Sequence, residues 1–521
     1  MNKIRKVIST MLIALSLVGA IVAPLNVTAG SSNESGSLTI HKYQIDDTFI
    51  GKPDYEQNGS EIGDEVIGTR EDENGDREDV TLSDLAPLEG VRFTIEKVVP
   101  KTNDGEIILP LEYELDESFA METVTVNALG FAYLGGLPLG VYRVTELANE
   151  AVEVAAAPFY VSVPHHNEST GWIYDVHVYV KNQVSQPEIH KDVTLLGNQH
   201  DTTNVFDEVK WIVTAEIPKD VAKAKEYTVS DHLDKVLQYV DDSLVVSFVD
   251  ASTGETVILE EEADYMFDLF KNGKTGYPWQ DEMHITLTMT GRNKVAGALP
   301  VESGEKAWLQ IEFNTKIELS DTNLEAILGK EIPNQAELSY INNLNVKFTP
   351  KSEIPEVHLG GVQLKKVDAK GVVLSGAKFK IYRSLADAQA KTNALPNPNN
   401  GSEDWVAESD ASGMAKFFGL AYGEIGQEYN DETAETKYWI VEVEAPKDAQ
   451  GKSYNLLKDP LEVTVNRVSH QSINAITVVN TKFDLPLTGG EGSTMFIMAG
   501  IFLVVAGIGT IVAVKKKKVK A

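Results

Sequence analysis

Val176-His-Val-Tyr-Val180-Lys181-Asn182 alternates apolar and polar side chains residue by residue. In an extended chain successive side chains point to opposite faces. Val176, Val178, Val180 and Asn182 therefore share one face, and Lys181 looks the other way. The same period recurs in Ser37-Leu-Thr-Ile-His-Lys42 and in Ala475-Ile-Thr-Val-Val479. Short alternating runs bounded by Gly, Pro, Asn and Asp predict an all-β chain built of β-sandwiches. Helical signals are few: one turn over 386–390 and another over 323–328.

Working outward, two segments repeat each other. The first reads Leu88-Glu-Gly90-Val-Arg-Phe93, then Gly130, then Tyr142-Arg-Val144-Thr-Glu146. The second reads Leu374-Ser-Gly376-Ala-Lys-Phe379, then Gly413, then Tyr438-Trp-Ile440-Val-Glu442. Order and character match, so residues 30–185 and 358–482 are expected to share a fold. Residues 186–357 lack the pattern and read as a different sandwich. Two polar insertions, 54–79 and 393–404, read as exposed loops. Asp72-x-Asn74-Gly75-Asp76 has Gly out of place for a calcium loop and no closing Glu, so no metal is expected, and no cofactor either.

The chain has 521 residues, 46 Lys+Arg against 78 Asp+Glu, and a net charge of −32. That balance argues against nucleic acid as a partner, since phosphate binding needs a basic face. There are no cysteines, which removes disulfides, thiolate metal sites and Cys nucleophiles together. No P-loop, GxSxG or HExxH pattern is present. Residues 1–29 read as a signal peptide: Lys3, Arg5 and Lys6, an apolar run from Met11 to Val22, and small residues Val27-Thr28-Ala29. Near the other end, Thr494 to Val514 is uncharged and long enough to span a bilayer. Lys515–Lys518 and Lys520 follow and would stay on the cytoplasmic side. Losing three positive charges with the signal and a net four with the tail would leave a body of charge −39, soluble and self-repelling.

Each segment opens with a strand that aligns a lysine with apolar neighbours. Leu38, Ile40 and Lys42 share a face, as do Ile189 and Lys191, and Val362, Leu364 and Lys366. A lysine on a core face is costly unless neutralised or paired. The first and third segments close with an inward asparagine, Asn182 and Asn480. Between them lies an inward glutamate, Glu146 on the face of Tyr142 and Val144, and Glu442 on the face of Tyr438 and Ile440. Burial favours a neutral lysine amine and a protonated glutamate. The amine can attack the asparagine carbonyl while the glutamate donates to it. Ammonia leaves and a Lys–Asn isopeptide bond remains. Such staples would strengthen an exported chain that has no disulfide.

Several motifs resemble one family. Leu485-Pro486-Leu487-Thr488-Gly489, an apolar span and a basic tail resemble the cell-wall sorting signal of Gram-positive bacteria (483–521). Tyr438-Trp-Ile-Val-Glu442-Val-Glu-Ala445-Pro446 resembles the E-box of Gram-positive pilins, with Val443 where Thr is usual and Asp448 where Gly is usual. Trp172-x-x-x-Val176-x-Val178-Tyr179-Val180-Lys181 resembles the pilin motif, with Val180 in place of the usual Pro. The resemblance implies a sortase-assembled major pilin of tandem Ig-like domains, CnaB-type (30–185), CnaA-type (186–357) and CnaB-type (358–482), and not an enzyme. It implies that a sortase cuts after Thr488 and joins it to Lys181 of the next subunit, Lys191 and Lys210 being the competing amines. Ile332-Pro-Asn334-Gln-Ala336-Glu-Leu338-Ser-Tyr340 resembles the late strand of CnaA-type domains. It nominates Asn334 as acceptor for Lys191 and Asp231 as the acid, with Asn342 or Asn343 as alternative acceptors. Implied partners are a pilus-specific and a housekeeping sortase, identical subunits, minor pilins, peptidoglycan and a host surface ligand. A monomeric wall-anchored adhesin or a minor pilin is the alternative reading. His41 and His190 alternate to the outer face, and His165-His166 reads as solvated.

Overall fold

The structure, a computed structural model, describes residues 35–482 apart from 46–47, 52–57, 72–75, 104–105, 108–111, 153–154, 168, 185, 272–278, 301–304, 320–323, 428–432 and 449. The expected signal peptide, the Leu485–Gly489 motif with Thr488, and the apolar span lie outside the described residues. Among those described, no helix is long and apolar enough to cross a membrane. The chain forms two compact units. One runs to Asp192 and takes in Lys210–Asn314 and Asn334–Pro355. The other takes in Val193–Val209, Thr315–Pro333 and the chain from Glu356 onward.

In the first unit the strand Ser35–Ile45 lies between Phe131–Pro138, antiparallel to it, and Asp175–Gln183, parallel to it. A second sheet runs Phe159–Val163, Gly140–Glu146, Arg92–Pro100, Tyr113–Leu115, with Glu122–Thr125 also on Arg92–Pro100. Alternation buries Leu38, Ile40, Val176 and Val178 from one sheet and Phe93, Ile95, Tyr142 and Val144 from the other. Each such side chain contributes about 1.5–3 kcal/mol on burial. In the second unit Gly360–Asp368 lies in the same way between Met414–Leu420, antiparallel, and Ile476–Asn480, parallel. Its facing sheet is Val406–Glu408, Lys378–Tyr382, Glu435–Glu444, Leu461–Asn466.

The repeat residues fix these strands through their backbones. Lys42 N–H donates to Gly130 O at 2.8 Å, and Lys366 N–H to Gly413 O at 2.7 Å. Leu88 N–H donates to Lys42 O at 3.0 Å, and Leu374 N–H to Lys366 O at 2.9 Å. Gly413 sits at φ +79°, and a Cβ there would come within 2.7 Å of Lys366 O. Glycine is thus required at this crossing.

The middle sandwich is built differently. Ile189–Val193, Val209–Ile217, Ala307–Ile317, Val245–Val249 and Thr256–Ile258 form one sheet. Ile332–Ile341, Glu226–Asp234, Trp279–Leu287 and Tyr265–Lys271 are consecutive neighbours in the other.

Four local features depart from the sequence expectations, one of them the second insertion, where Pro396–Asn397 pairs with Asn400–Asp404. The first insertion is not only loop: Gly68–Glu71 and Arg77–Val80 form a three-stranded sheet with Phe49–Gly51, which precedes the insertion. Its Phe49, Ile67 and Val80, with Leu82 and Leu85, cluster on Tyr179. Met289–Val295 is helical, capped by the Thr288 hydroxyl that accepts Gly291 N–H; Gly and Thr are poor helix formers, so composition hid it. His165 is buried rather than solvated, because Gly59 packs on its ring. The short helix expected over 386–390 is present as Leu385–Ala390, with Ser384 as its cap.

Candidate functional site

The lysine of each repeated segment stands beside the strand that carries its asparagine, in the same sheet rather than across the sandwich. Lys42 is level with Val180 and Lys366 with Val478. In both segments the asparagine is two residues further along the neighbouring strand. Side chains two apart share a face, so lysine and asparagine lean towards each other on the inner side. The glutamate comes from the facing sheet, level with Phe93 in the first segment and Phe379 in the third.

In the first segment Lys42 and Glu146 side chains are fully enclosed, with Nζ 2.9 Å from Oε2. Asn182 Nδ2 donates to Glu146 Oε1. Burial pulls the Lys42 ammonium down to about 8, although Glu146 works against the shift. In the third segment Lys366 Nζ donates to Val478 O at 3.0 Å and lies 3.9 Å from Glu442 Oε1. That Oε1 also accepts Asn480 Nδ2 at 2.8 Å. Burial pulls Lys366 down to about 8 and raises the Glu442 carboxyl. Burial thus favours the neutral form of both groups. An amine titrating near 8 is about one-tenth neutral at pH 7, against well under a thousandth for an ordinary lysine.

In the middle sandwich the lysine does face its partners across the two sheets. Lys191 is fully buried, its Nζ 5.1 Å from the Trp211 ring centre and 5.3 Å from that of Phe313. It pairs with Asp231 Oδ2. Burial lowers Lys191 to about 8 and raises Asp231. Asn334 is buried on the strand beside Asp231, level with Leu233. Asn334's amide atoms and Asp231 Oδ1 are buried with no partner at full hydrogen-bond geometry, yet the Asn334 amide is near enough to oppose the rise of the Asp231 carboxyl. Of the alternative acceptors, Asn342 has its side-chain oxygen held in a turn, whereas Asn343 is tied through its backbone only and its Oδ1 is buried without a partner. Asn342 Oδ1 accepts Leu344 and Val346 N–H, both at 2.9 Å, and Asn343 N–H donates to Asp220.

Lys181 faces away from Asn182 as alternation requires, but it does not stand in open solvent. It is half-buried, with its Nζ 5.9 Å from the Phe49 ring centre. Burial lowers it to about 8. The folded insertion and the strand before it are the reason: Phe49 covers this outer face, and Ile62 N–H donates to Tyr179 OH at 2.7 Å. The same cover encloses His41, which stacks on Tyr179 at 4.4 Å and meets His177 at 2.9 Å. His41 is held down to about 4, first by burial and then by His177. His190 is half-buried beside Glu353. Of the competing amines, Lys191 is inaccessible and Lys210 is paired with Glu312 at 2.6 Å.

Sequence reasoning missed two groups at these sites. Ala156 N–H donates to Glu146 Oε2 at 3.2 Å, and Leu457 N–H to Glu442 Oε2 at 2.8 Å. Each lies shortly before the proline, Pro158 or Pro460, that precedes the next strand. Among the described residues no cluster of three or more His, Asp or Glu could hold a metal ion.

Comparison with known proteins defines the class. Residues 33–183 match the Gram-positive pilin subunit D1 N-terminal domain, 360–482 a prealbumin-like fold domain, and 477–521 the LPXTG cell wall anchor motif. The fimbrial subunit type 1 of Actinomyces viscosus is 27% identical, with 96% of each chain covered. The fimbrial subunit type 2 of Actinomyces naeslundii is 25% identical over 93% of this chain and 90% of that one. The full-length major pilin SpaD from Corynebacterium diphtheriae is 23% identical with a TM-score of 0.40, over 87% of this chain and 98% of that one. By these matches the chain resembles the LPXTG-anchored Gram-positive pilins in its first, third and anchoring regions. It is a structural subunit of a cell-wall-anchored surface pilus, and the anchor implies a sortase, other pilin subunits and the cell wall as partners.

Proposed function

We propose that the protein is the major pilin of the covalent shaft, joined head to tail by a pilus-specific sortase. The sortase cysteine takes Thr488 as a thioester, releasing Gly489 onward, and Lys181 of the next subunit accepts it. A housekeeping sortase passes the last subunit to peptidoglycan, and minor pilins complete the fibre. Within each subunit, residues 30–185, 186–357 and 358–482 are three sandwiches, each closed by one autocatalytic bond. The pairs are Lys42–Asn182 with Glu146, Lys191–Asn334 with Asp231, and Lys366–Asn480 with Glu442.

The observation that carries this reading is the enclosed lysine set beside a carboxyl and an asparagine, found three times in one chain. Enclosed ion pairs are weak stabilisers by themselves, because desolvation offsets their attraction. A reaction that consumes the buried charge removes that cost. Intact mass of the folded chain tests the internal bonds: three ammonia molecules should be missing, and a full-mass chain refutes them. Fibres from cells should run as a ladder of large species that survives boiling in detergent. Lys181→Ala should abolish that ladder, and a persisting ladder would move the linkage to another amine.

A further inference from the structure

The two glutamates share a contact that neither the lysine nor the asparagine supplies. Glu442 Oε2 accepts the backbone N–H of Leu457, and Glu146 Oε2 accepts that of Ala156. Both donors come from the loop after the glutamate's strand. The loops differ in sequence and length, yet each delivers a main-chain N–H to the same oxygen. Among the described residues the acid of the middle sandwich has no such backbone donor: the groups that oppose its neutral form are the side chains of Lys191, His232 and Asn334.

A backbone N–H donates and never accepts. It marks Oε2 as the acceptor end of the carboxyl. When the glutamate is neutral its one proton then belongs on Oε1, the oxygen 2.8 Å from the Asn480 amide. Asn480 Oδ1 is buried without a partner, so turning the amide about its Cβ–Cγ bond places that oxygen to accept the proton.

We propose that the backbone N–H groups of Leu457 and Ala156 are positioning donors for isopeptide formation, holding each glutamate so that its acid proton faces the asparagine carbonyl. This rests on the Lys–Glu–Asn reading given above. In the third segment the neutral Lys366 Nζ attacks Asn480 Cγ, and the Nζ–Cγ bond forms as Oε1–H protonates the carbonyl oxygen. The resulting carboxylate takes a proton from Nζ and hands it to Nδ2. The Cγ–Nδ2 bond breaks, ammonia leaves, and the hydroxyl proton returns to the glutamate. Glu442 ends as it began, still gripped at Oε2.

The test replaces the Leu457 N–H by an ester oxygen, with leucic acid incorporated at position 457 during cell-free synthesis of the full chain. Samples are quenched over time, and the Lys366–Asn480 and Lys42–Asn182 cross-linked peptides are quantified by mass at several pH values. The ester should slow the Lys366–Asn480 bond roughly tenfold, the worth of one such hydrogen bond. The limb of the pH profile set by Glu442 ionisation should move to higher pH, because the lost N–H stabilised the carboxylate. The Lys42–Asn182 bond in the same molecules should form at the unsubstituted rate. Leu457→Ala, which keeps the N–H, should behave as the unsubstituted chain. An unchanged rate and pH profile for the ester, with Glu442→Ala still blocking the bond, overturns this proposal and leaves the Lys–Glu–Asn reading intact. Equal slowing by Leu457→Ala also overturns it, since side-chain packing would then be the cause. Absence of the Lys366–Asn480 peptide from the unsubstituted chain removes both.

Discussion

At the scale of single residues the chemistry is set by burial. Lys42 and Lys366 owe their lowered titration to the apolar faces they share with Leu38, Ile40, Val362 and Leu364. That much is legible in the sequence, because alternation alone puts these side chains together. The donors at Ala156 and Leu457 are not legible, since a backbone N–H leaves no mark in residue identity. Burial also makes a pH prediction. In Asn480→Ala the lysine stays unreacted, with a folded-state value of about 8 against an ordinary unfolded one near 10.4. The unfolded chain binds more protons between those values, so stability rises with pH across that window. The gain should be on the order of 3 kcal/mol. It should be missing from the wild type, where the proposed bond would make Lys366 an amide that does not titrate. Denaturant midpoints of the two proteins between pH 7 and pH 11 check this; parallel curves would mean that Lys366 is not the group concerned.

Among elements, pairing matters more than periodicity. Alternation says which residues face inward but not which strands are neighbours. Hence the parallel placement of the first and last strands of each repeated segment was not readable. The common two-residue offset from lysine level to asparagine is a product of that pairing. Gly413→Ala should therefore act through Lys366, whose carbonyl the new Cβ would crowd. A cost of about 1–2 kcal/mol and slower bonding of Lys366, read by cross-linked peptide yield, are expected. Gly371, with φ +83° and open space around it, is the control that should strain the backbone yet leave bonding alone. The cover on Lys181 was hidden for another reason. Ile67 lies within an acidic run whose polarity reads as loop, and Phe49 and Val80 stand on either side of it. Phe49→Ala should let water reach Lys181 and raise its titration from about 8 towards the ordinary lysine range. Side-chain NMR of Lys181 measures that shift, and an unmoved midpoint would mean that Phe49 is not what desolvates the amine.

For the whole molecule the absence of cysteine decides how strength is gained. A pilus subunit works outside the cell, where disulfides are the usual cross-links, and this chain has none to make. A bond between Lys42 and Asn182 ties the opening strand of its sandwich to the closing one, and Lys366–Asn480 does the same. Each closes a loop of roughly a hundred residues or more, a constraint on the unfolded chain of about 4–5 kcal/mol by loop-entropy reasoning. The strands that the proposed bonds would link are parallel neighbours, so a pull along the chain would load the covalent bond before the hydrogen bonds of the ladder part. Glu146→Ala and Glu442→Ala each remove one closure while leaving every apolar core residue in place. Each should lower the melting temperature by several degrees, and the double variant should lose about the sum, since the two bonds lie in different compact units. Reducing agent should change none of these temperatures. Calorimetry of the four proteins, with and without dithiothreitol, separates the possibilities. If melting is unchanged in variants whose retained ammonia shows the bond to be missing, the fold does not depend on that bond. Its benefit would then have to be sought in forced unfolding, where only the linked chain should resist extension between its first and last strands.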